Sequence, residues 1–294
     1  MTHEVECSVA SPAGVRLAVR QSGPADGAPI VVLHGITMTR DYVLMGSTEL
    51  EENGYRVIAY DARGHGRSTA PEDPEAYGYD ELLTDLVAVL DAFEVERAVL
   101  VGSSMGCHTA MRLALDHPDR VAALTAITPA YDPAAHPNEA DVRDADRLAE
   151  AMRTSGADGY IEGLKEMGDP AVEMTFLSLT RRRLAEHRDL GSVADALQAN
   201  VRARPFESFD DLASIAAPSL VVASRDKLDP RHPHAVARSY AAALPESEIV
   251  SEPEGRAPLA WNGRKLARCV LDLASRAHYL TNRDPLSTLP SPGS

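Results

Sequence analysis

One short segment constrains the fold of this chain more than any other: Gly102-Ser103-Ser104-Met105-Gly106, which directly follows the apolar run 98–101. It matches the pattern GxSxG, in which a strained turn from a strand into a helix raises the central serine above a parallel sheet. Glycines suit this turn because side chains at their positions would crowd the backbone. Apolar residues then recur at helical spacing as far as His117. The context predicts a buried strand, a tight turn at Ser104 and a helix.

Length and composition favour a single globular protein. A chain of 294 residues can bury one large core, or one core and a modest inserted subdomain. Its hydrophobic fraction of 44% is ordinary for this class. No apolar stretch approaches the roughly 20 residues that a membrane-spanning helix needs, and the first residues are acidic rather than signal-like. We therefore expect a cytoplasmic protein without a membrane partner.

Charge and cysteine content exclude several other classes of function. A net charge of −15 disfavours nucleic acid and anionic membranes as partners, because both attract basic patches. The chain has three cysteines without CxxC spacing, which indicates neither a disulfide framework nor a metal knuckle. We expect no metal and no cofactor, and the sequence leaves the oligomeric state open.

Strands and helices alternate along most of the chain, as in a parallel sheet covered on both faces. The predicted strands are 5–10, 15–21, 30–33, 56–60, 98–101, 121–127, 219–223 and 248–251. The predicted helices between and after them are 41–53, 80–93, 105–117, 234–243 and 263–277.

The alternation stops after Pro129, and about eighty residues follow with helical patterns only. Plausible helices there are 140–153, 158–166, 171–187 and 192–201, separated by glycine and proline. We therefore predict a core formed by residues 1–130 and 213–280, with residues 131–212 inserted as a helical cap. Residues 281–294 are proline-rich and have little to bury, which predicts a disordered tail.

Four motifs in this order resemble the α/β-hydrolase superfamily over nearly the whole chain outside the cap and tail. They are His34-Gly35-Ile36 after the third strand, Asp61-Ala62-Arg63-Gly64-His65-Gly66-Arg67-Ser68 after the fourth, the GxSxG turn after the fifth, and Ala223-Ser224-Arg225-Asp226 with Pro230 after the seventh. The resemblance implies an α/β fold with a mostly parallel eight-stranded sheet, flanking helices and a helical cap inserted after the sixth strand.

The resemblance also implies roles for several residues. In the family, the amides that follow His-Gly and the nucleophile form an oxyanion hole, here Ile36 and Met105. His34 and Gly35 shape the loop beside the bound substrate. Asp226 matches the family acid, while Asp229 and Asp132 are read as solvated loop carboxylates.

The expected catalytic histidine is absent at its usual place. Relatives carry Gly-His after the last strand, whereas this chain has Gly255 followed by Arg256. A guanidinium stays protonated at physiological pH and cannot accept the serine proton. Arg256 is therefore expected to pair with Asp226, either to hold two loops together or to offer N–H donors to an oxyanion.

Another histidine remains an alternative base. His108 lies one turn beyond Ser104, and His232 and His234 lie just beyond Asp226. For each, the simpler interpretation is structural: a helix-face residue for His108, and a helix N-terminus near the rim of the site for the other two.

Without a base at position 256, the sequence favours a cofactor-independent, non-hydrolytic reaction, such as C–C or C–O bond formation, cyclisation or isomerisation. Ser104, Arg256 and Asp226 would carry it on a hydrophobic small molecule, a class that includes aromatic and polyketide-like compounds. The 26 arginines against 3 lysines are typical of a GC-rich genome and fit bacterial specialised metabolism. The alternatives are a serine esterase with a relocated histidine and a non-catalytic ligand-binding protein.

Substrate contacts are assigned by position. Tyr131, at the end of the sixth strand, and Trp261, near Arg256, are placed to touch a planar ligand. The run Arg181-Arg182-Arg183 either receives an acidic substrate or forms a solvated helix face, and the second interpretation is the more common one.

Overall fold

An eight-stranded sheet forms the centre of the protein. The computed structural model describes residues 4–12, 14–166, 174–225, 229 and 231–281. The strands are β1 Val5–Ala10, β2 Arg16–Ser22, β3 Pro29–Leu33, β4 Arg56–Tyr60, β5 Ala98–Ser103, β6 Val121–Ile127, β7 Ser219–Ala223 and β8 Ser247–Ser251. Their order in the sheet is β1-β2-β4-β3-β5-β6-β7-β8.

The helices of the described residues are α1 Glu49–Glu52, α2 Tyr79–Ala92, α3 Met105–Asp116, α4 Glu139–Glu166, α5 Met174–Leu184, α6 Leu190–Asn200, α7 His234–Ala243 and α8 Gly263–Thr281. Short 3₁₀ segments add Arg40–Tyr42, Pro118–Arg120, Phe209–Ser214 and Leu259–Trp261. None of these helices has the length and apolar character needed to cross a membrane.

The length of the connection between two strands determines whether they pair in the antiparallel or the parallel direction. A tight turn joins β1 to β2, and this pair is antiparallel, as is the pair of β2 with β4. The strands from β3 to β8 pair in parallel, because longer connections bring each strand back to the same edge. The predicted α/β fold with a mostly parallel eight-stranded sheet is confirmed.

Side chains of the central strands enter two separate cores because neighbouring residues point to opposite faces. On β3, Val31 and Leu33 join the core beneath α2, α3 and α7, whereas Ile30 and Val32 join the core beneath α8. Burial on both faces explains why this strand is apolar throughout rather than alternating.

Helices α4 to α6 follow β6 and share a small core of their own, as the helical pattern predicted. This α4–α6 segment buries Leu148, Ala149, Met152, Tyr160, Leu164, Leu184, Val193 and Ala194. Helix α4 is interrupted at Ser155 and Gly156, where the glycine has φ +60°. The boundaries 131–212 of a separate cap stay a prediction, and the predicted disordered tail lies outside the described residues from position 282 onward.

The predicted helix 41–53 is wrong. The structure has a 3₁₀ turn at Arg40–Tyr42 and a single helical turn at α1. Met45 and Gly46 between them both have positive φ, +48° and +75°, which an α-helix cannot contain. The periodic apolar residues of this stretch therefore lie in a loop, and they pack against the core without forming one helix.

A buried ion pair joins the loop after β4 to α2. The guanidinium of Arg63 donates to both carboxylate oxygens of Asp85, at 2.7 and 2.8 Å, and both side chains have no solvent exposure. Arg63 also donates to the carbonyls of Ala76 and Glu81. Each charge is therefore matched inside the protein, and loss of one partner would leave the other buried and uncompensated.

We expect Asp85→Asn to lower the free energy of unfolding by about 3–5 kcal/mol, because it leaves the Arg63 charge without a counterion. Asp116→Asn is the matched control, since Asp116 pairs with Arg112 at an exposed i,i+4 position. That pair is worth at most about 0.5 kcal/mol. Chemical denaturation at pH 7.5 measures both values, and equal small effects would contradict the prediction.

Four buried histidines lie near the carboxyl ends of the central strands. His34 accepts a hydrogen bond from the Ala62 amide, and His187 accepts one from the Gly66 amide. The ring of His65 contacts both of these rings. Burial lowers the pKa of all three, and it lowers the pKa of His187 and of His108 to about 3. These rings are therefore neutral in the folded protein at neutral pH.

This burial predicts acid sensitivity. In the unfolded chain these histidines protonate near pH 6.5, whereas in the folded chain they stay neutral until the pH reaches their lowered pKa values. Stability is therefore complete above pH 6.5 and is lost as pH falls below it, by about 1.4 kcal/mol per pH unit for each histidine. We expect the denaturant midpoint to fall steeply between pH 7.5 and 5.5, and His187→Asn to reduce that slope by about a quarter. A midpoint that does not change over this range would contradict the argument.

Candidate active site

Ser104 forms the predicted turn between β5 and α3. Its backbone has φ +48° and ψ −115°, a conformation that non-glycine residues rarely adopt. The Ser104 amide donates to the Ile127 carbonyl at 2.9 Å, and its own carbonyl accepts from the Cys107 amide at 2.9 Å. Hydrogen bonds to both neighbouring elements hold the turn, and the Ser104 side chain stays partly accessible at the carboxyl edge of the sheet.

Two glycines allow the backbone to pack closely around this serine. A Cβ atom on Gly106 would overlap the Leu33 carbonyl at the end of β3. A Cβ atom on Gly35 would lie 3.3 Å from the Ser104 Cβ atom, tighter than ordinary packing. The loop after β3 is therefore in direct contact with the serine turn.

His232 is the histidine that reaches Ser104. Its Nε2 atom lies 3.0 Å from Ser104 Oγ, and its Nδ1 atom lies 2.8 and 2.9 Å from the two carboxylate oxygens of Asp229. Since a carboxylate only accepts, the Nδ1–H donates to Asp229, which leaves Nε2 as the acceptor for the serine hydroxyl. Serine, imidazole and carboxylate thus form a continuous hydrogen-bonded chain.

Asp229 is held in its ionised form. Burial alone would raise the pKa of this carboxyl, whereas the charge and the hydrogen bond of the adjacent His232 ring lower it. Arg231 and Arg183 lower the pKa of Asp229 further. The net direction is below the usual range, so the carboxylate can orient the ring and stabilise its protonated form.

Both groups come from one turn between β7 and α7. The amide of His232 donates to the carbonyl of Asp229 at 3.3 Å, which places the two side chains on the same side of the turn. Pro233 follows at the N-terminus of α7 and has an extended backbone. The expectation that Asp229 is a solvated loop carboxylate is wrong, because its oxygens bind the His232 ring.

The predicted oxyanion donors occupy suitable positions. Met105 is the first residue of α3, so its amide has no acceptor within the helix. Among the described residues, the amides of Ile36 and Met105 are not donors in any hydrogen bond. The two side chains lie in one apolar cluster. Both N–H groups are therefore available to a ligand beside Ser104, and their catalytic role stays a prediction.

Arg256 takes no part in this hydrogen-bonded chain. Arg256 is exposed on the turn after β8, where its amide donates to the Pro253 carbonyl, and the bond to Ser104 is made by His232 instead. Asp226 lies outside the described residues. The buried Glu252 connects the loops after β7 and β8, since it accepts from the amides of Arg225 and Leu259. The predicted Arg256–Asp226 pair remains a prediction.

Among the described contacts, neither of the other two candidate histidines bonds its ring to the Ser104 hydroxyl. His108 is buried behind the site, where its ring contacts the Tyr79 hydroxyl at 3.1 Å and the Tyr131 amide at 3.4 Å. His234 is the first residue of α7, as expected. His34 donates from Nδ1 to the Gly35 carbonyl and accepts at Nε2, so both ring nitrogens are used to shape the loop.

The two aromatic residues predicted to touch a ligand differ in their surroundings. Tyr131 is buried among His108, His136 and Phe206, and its hydroxyl donates to the Phe206 carbonyl at 2.9 Å. Trp261 is half-buried in the 3₁₀ turn before α8. Substrate contact by either residue stays a prediction.

The sequence contained one signal for the observed arrangement. Asp229 and His232 are three residues apart, directly before the helix α7, and this spacing lets a short turn bring a carboxylate to an imidazole. The Gly-His pattern of the family predicts the base after the last strand, where this chain has Arg256 instead. Which histidine faces Ser104 depends on contacts across the site rather than on local pattern.

Known proteins resemble this chain along most of its length. A protein of Variovorax paradoxus (strain S110) named Putative carbamate hydrolase RutD is 34% identical over 209 residues, which are 69% of this chain and 76% of that protein. Est816, described as an N-acyl homoserine lactone degrading enzyme, has a TM-score of 0.70 at 26% identity, with 92% and 99% of the two chains covered. A thermophilic esterase from Thermogutta terrifontis has a TM-score of 0.75 at 22% identity, with 93% and 99% covered.

The family model described as alpha/beta hydrolase fold matches residues 28–262, which is most of the chain. The matched region contains β3 to β8, the serine turn and the turn that carries Asp229 and His232. The chain therefore belongs to the α/β-hydrolase fold family.

Proposed function

We propose that this protein is a serine hydrolase in which Ser104 is the nucleophile, His232 the general base and Asp229 the group that orients the base. The observation that carries the proposal is the hydrogen-bonded chain from Ser104 Oγ through the His232 ring to the Asp229 carboxylate. Nucleophile and base within hydrogen-bond reach, with the base held by a third group, are the geometric requirement for acyl transfer.

The reaction follows from the positions of these groups. Ser104 Oγ attacks the carbonyl carbon of an ester while His232 Nε2 takes the hydroxyl proton. The amides of Ile36 and Met105 stabilise the negative charge that develops on the carbonyl oxygen. His232 then gives its proton to the leaving alcohol, and an acyl group remains on Ser104. Water activated by the same ring releases the acid and restores the serine.

The ionised Asp229 keeps this cycle in the correct protonation state. Its bond to Nδ1 fixes the tautomer in which Nε2 is free, and its negative charge stabilises the ring when the ring becomes cationic. Because the pKa of Asp229 lies below its usual range, the carboxylate remains ionised in mildly acidic solution.

This geometry removes the main reason for expecting a non-hydrolytic reaction. That expectation depended on the absence of a base near Ser104, which followed from Arg256 at the usual histidine position. The ring of His232 supplies a base within 3.0 Å of the serine hydroxyl. A protein that only binds its ligand would not need this arrangement, so both alternatives have less support than hydrolysis.

The comparisons support a carboxylic ester or lactone as the substrate class. Est816, 26% identical to this chain, is described as degrading N-acyl homoserine lactones. The relative of Variovorax paradoxus is named as a hydrolase of carbamates, in which the reacting carbon is also a carbonyl carbon. All of these bonds are cleaved through an oxyanion, which suits the two amides beside Ser104.

We expect the protein to hydrolyse 4-nitrophenyl butyrate. Ser104→Ala and His232→Ala should each lower kcat by about 10⁴–10⁶, and Asp229→Asn by about 10⁴, because the three groups act as a unit. His234→Gln, two residues from the base, and Arg256→Gln are the controls and should stay within about twofold of the wild type. Steady-state release of 4-nitrophenol measures all five variants.

A fluorophosphonate probe gives an independent test of Ser104 as nucleophile. Mass spectrometry should locate the adduct on Ser104 in the wild type and show much slower labelling in His232→Ala. An unlabelled Ser104, or a loss of hydrolysis in Arg256→Gln equal to that in His232→Ala, would refute the proposed roles.

A further inference from the structure

Arg183, near the end of α5, is a buried cation that forms no ion pair with any described residue. Its relative exposure is 8%, although it lies in the run Arg181-Arg182-Arg183 that resembles a solvated helix face. The guanidinium Nε atom is buried and has no hydrogen-bond partner. One Nη atom donates to the Thr180 hydroxyl at 3.2 Å. Among the ion pairs of the described residues, none includes Arg183.

A buried charge without a partner is costly, so its retention calls for an explanation. Two other arginines are buried: Arg63 uses its donors on Asp85 and on two carbonyls, and Arg40 pairs with Glu6. Arg181, two residues before Arg183, forms an exposed pair with Asp158. Arg183 differs from all three because it forms no ion pair among the described residues, and its Nε–H is unused inside the protein.

Arg183 lies where the α4–α6 segment meets the catalytic core. Its carbonyl accepts from the Glu186 amide at 3.2 Å, and the Glu186 side chain binds the hydroxyl of Tyr42 in the loop after β3. The charge of Arg183 also lowers the pKa of the Asp229 carboxyl, whose oxygens bind the His232 ring.

The chain directly after α5 is anchored to the core, which fixes the position of Arg183. Glu186 accepts hydrogen bonds from the hydroxyls of Thr39 at 3.0 Å and Tyr42 at 2.8 Å. His187 accepts from the Gly66 amide, and the Arg188 amide donates to the Gly66 carbonyl. Both oxygens of Glu186, the nearest carboxylate along the chain, are thus committed to hydroxyl groups.

We propose that Arg183 binds a carboxylate of the substrate, so that the hydrolase acts on esters or lactones of compounds that carry a second, anionic carboxyl group. This inference rests on the proposed function. A carboxylate can accept from the free Nε–H and a neighbouring Nη–H of one guanidinium in the two-point geometry that arginine favours. Arg183 supplies one positive charge, and the negative Asp229 lies nearby. The singly charged carboxylate therefore suits this position better than a doubly charged phosphate.

The test compares two esters of equal leaving group. The mono-4-nitrophenyl ester of glutaric acid carries a carboxylate, and 4-nitrophenyl butyrate does not. We expect Arg183→Gln to lower the ratio of kcat/KM for the anionic ester to that for the neutral ester by about 10- to 100-fold, chiefly through KM. The monoesters of succinic and adipic acid then report the distance between Arg183 and the reacting carbonyl.

Arg181→Gln is the matched control, since Arg181 lies on the same helix and its charge is exposed. It should leave the ratio unchanged. Arg183→Lys keeps the charge but loses the two-point geometry, and we expect an intermediate ratio. In the wild type, glutarate should inhibit hydrolysis of the neutral ester competitively while glutaramide does not, a measurement that needs no folded variant.

Two negative results have different meanings. If the wild type hydrolyses both esters through Ser104 but Arg183→Gln leaves the ratio unchanged, or if glutarate and glutaramide inhibit equally, the role of Arg183 is wrong and the proposed function stands. If neither ester is hydrolysed and the fluorophosphonate does not label Ser104, the proposed function fails and this inference fails with it.

Discussion

Close backbone packing at the carboxyl end of β5 is the constraint on which the candidate site depends. Ser104 holds a positive φ that its own side chain disfavours, and such a conformation persists only when surrounding contacts determine it. The Ile127 carbonyl fixes one side of the turn, and the chain at Leu33 and Gly35 lies directly against the other. The two glycines, Gly35 and Gly106, permit these contacts because a Cβ atom at either would crowd its neighbours.

Given that fixed serine, the chain brings a carboxylate and an imidazole to it from a single turn. Asp229 and His232 both lie between β7 and α7, so their mutual orientation is set within four residues rather than by two distant loops. The loops after β7 and β8 are joined instead by Glu252. Arg256 is exposed in the turn after β8, and its amide donates to the Pro253 carbonyl.

Arg63 and Arg183 are both buried, but the protein surrounds their charges differently. Arg63 and Asp85 neutralise each other within the core, and this pair links two elements without offering a donor to a ligand. Arg183 is almost as deeply buried but keeps an unused Nε–H, and its charge acts on the Asp229 carboxyl. An interior cation of the second kind is stabilised most when an anion enters, which couples substrate binding to relief of an electrostatic cost.

Local sequence patterns determined the sheet, most helices and the serine turn, because alternation, helical spacing and glycine preference act over a few residues. They failed at 41–53, where the positive φ of Met45 and Gly46 interrupts the helix. The sequence also named His232 among three candidate bases without deciding between them. Only the tertiary structure decided, because the 3.0 Å contact joins residues 128 positions apart, and such a distance is set by the packing of β5, β7 and α7 rather than by neighbours in the chain.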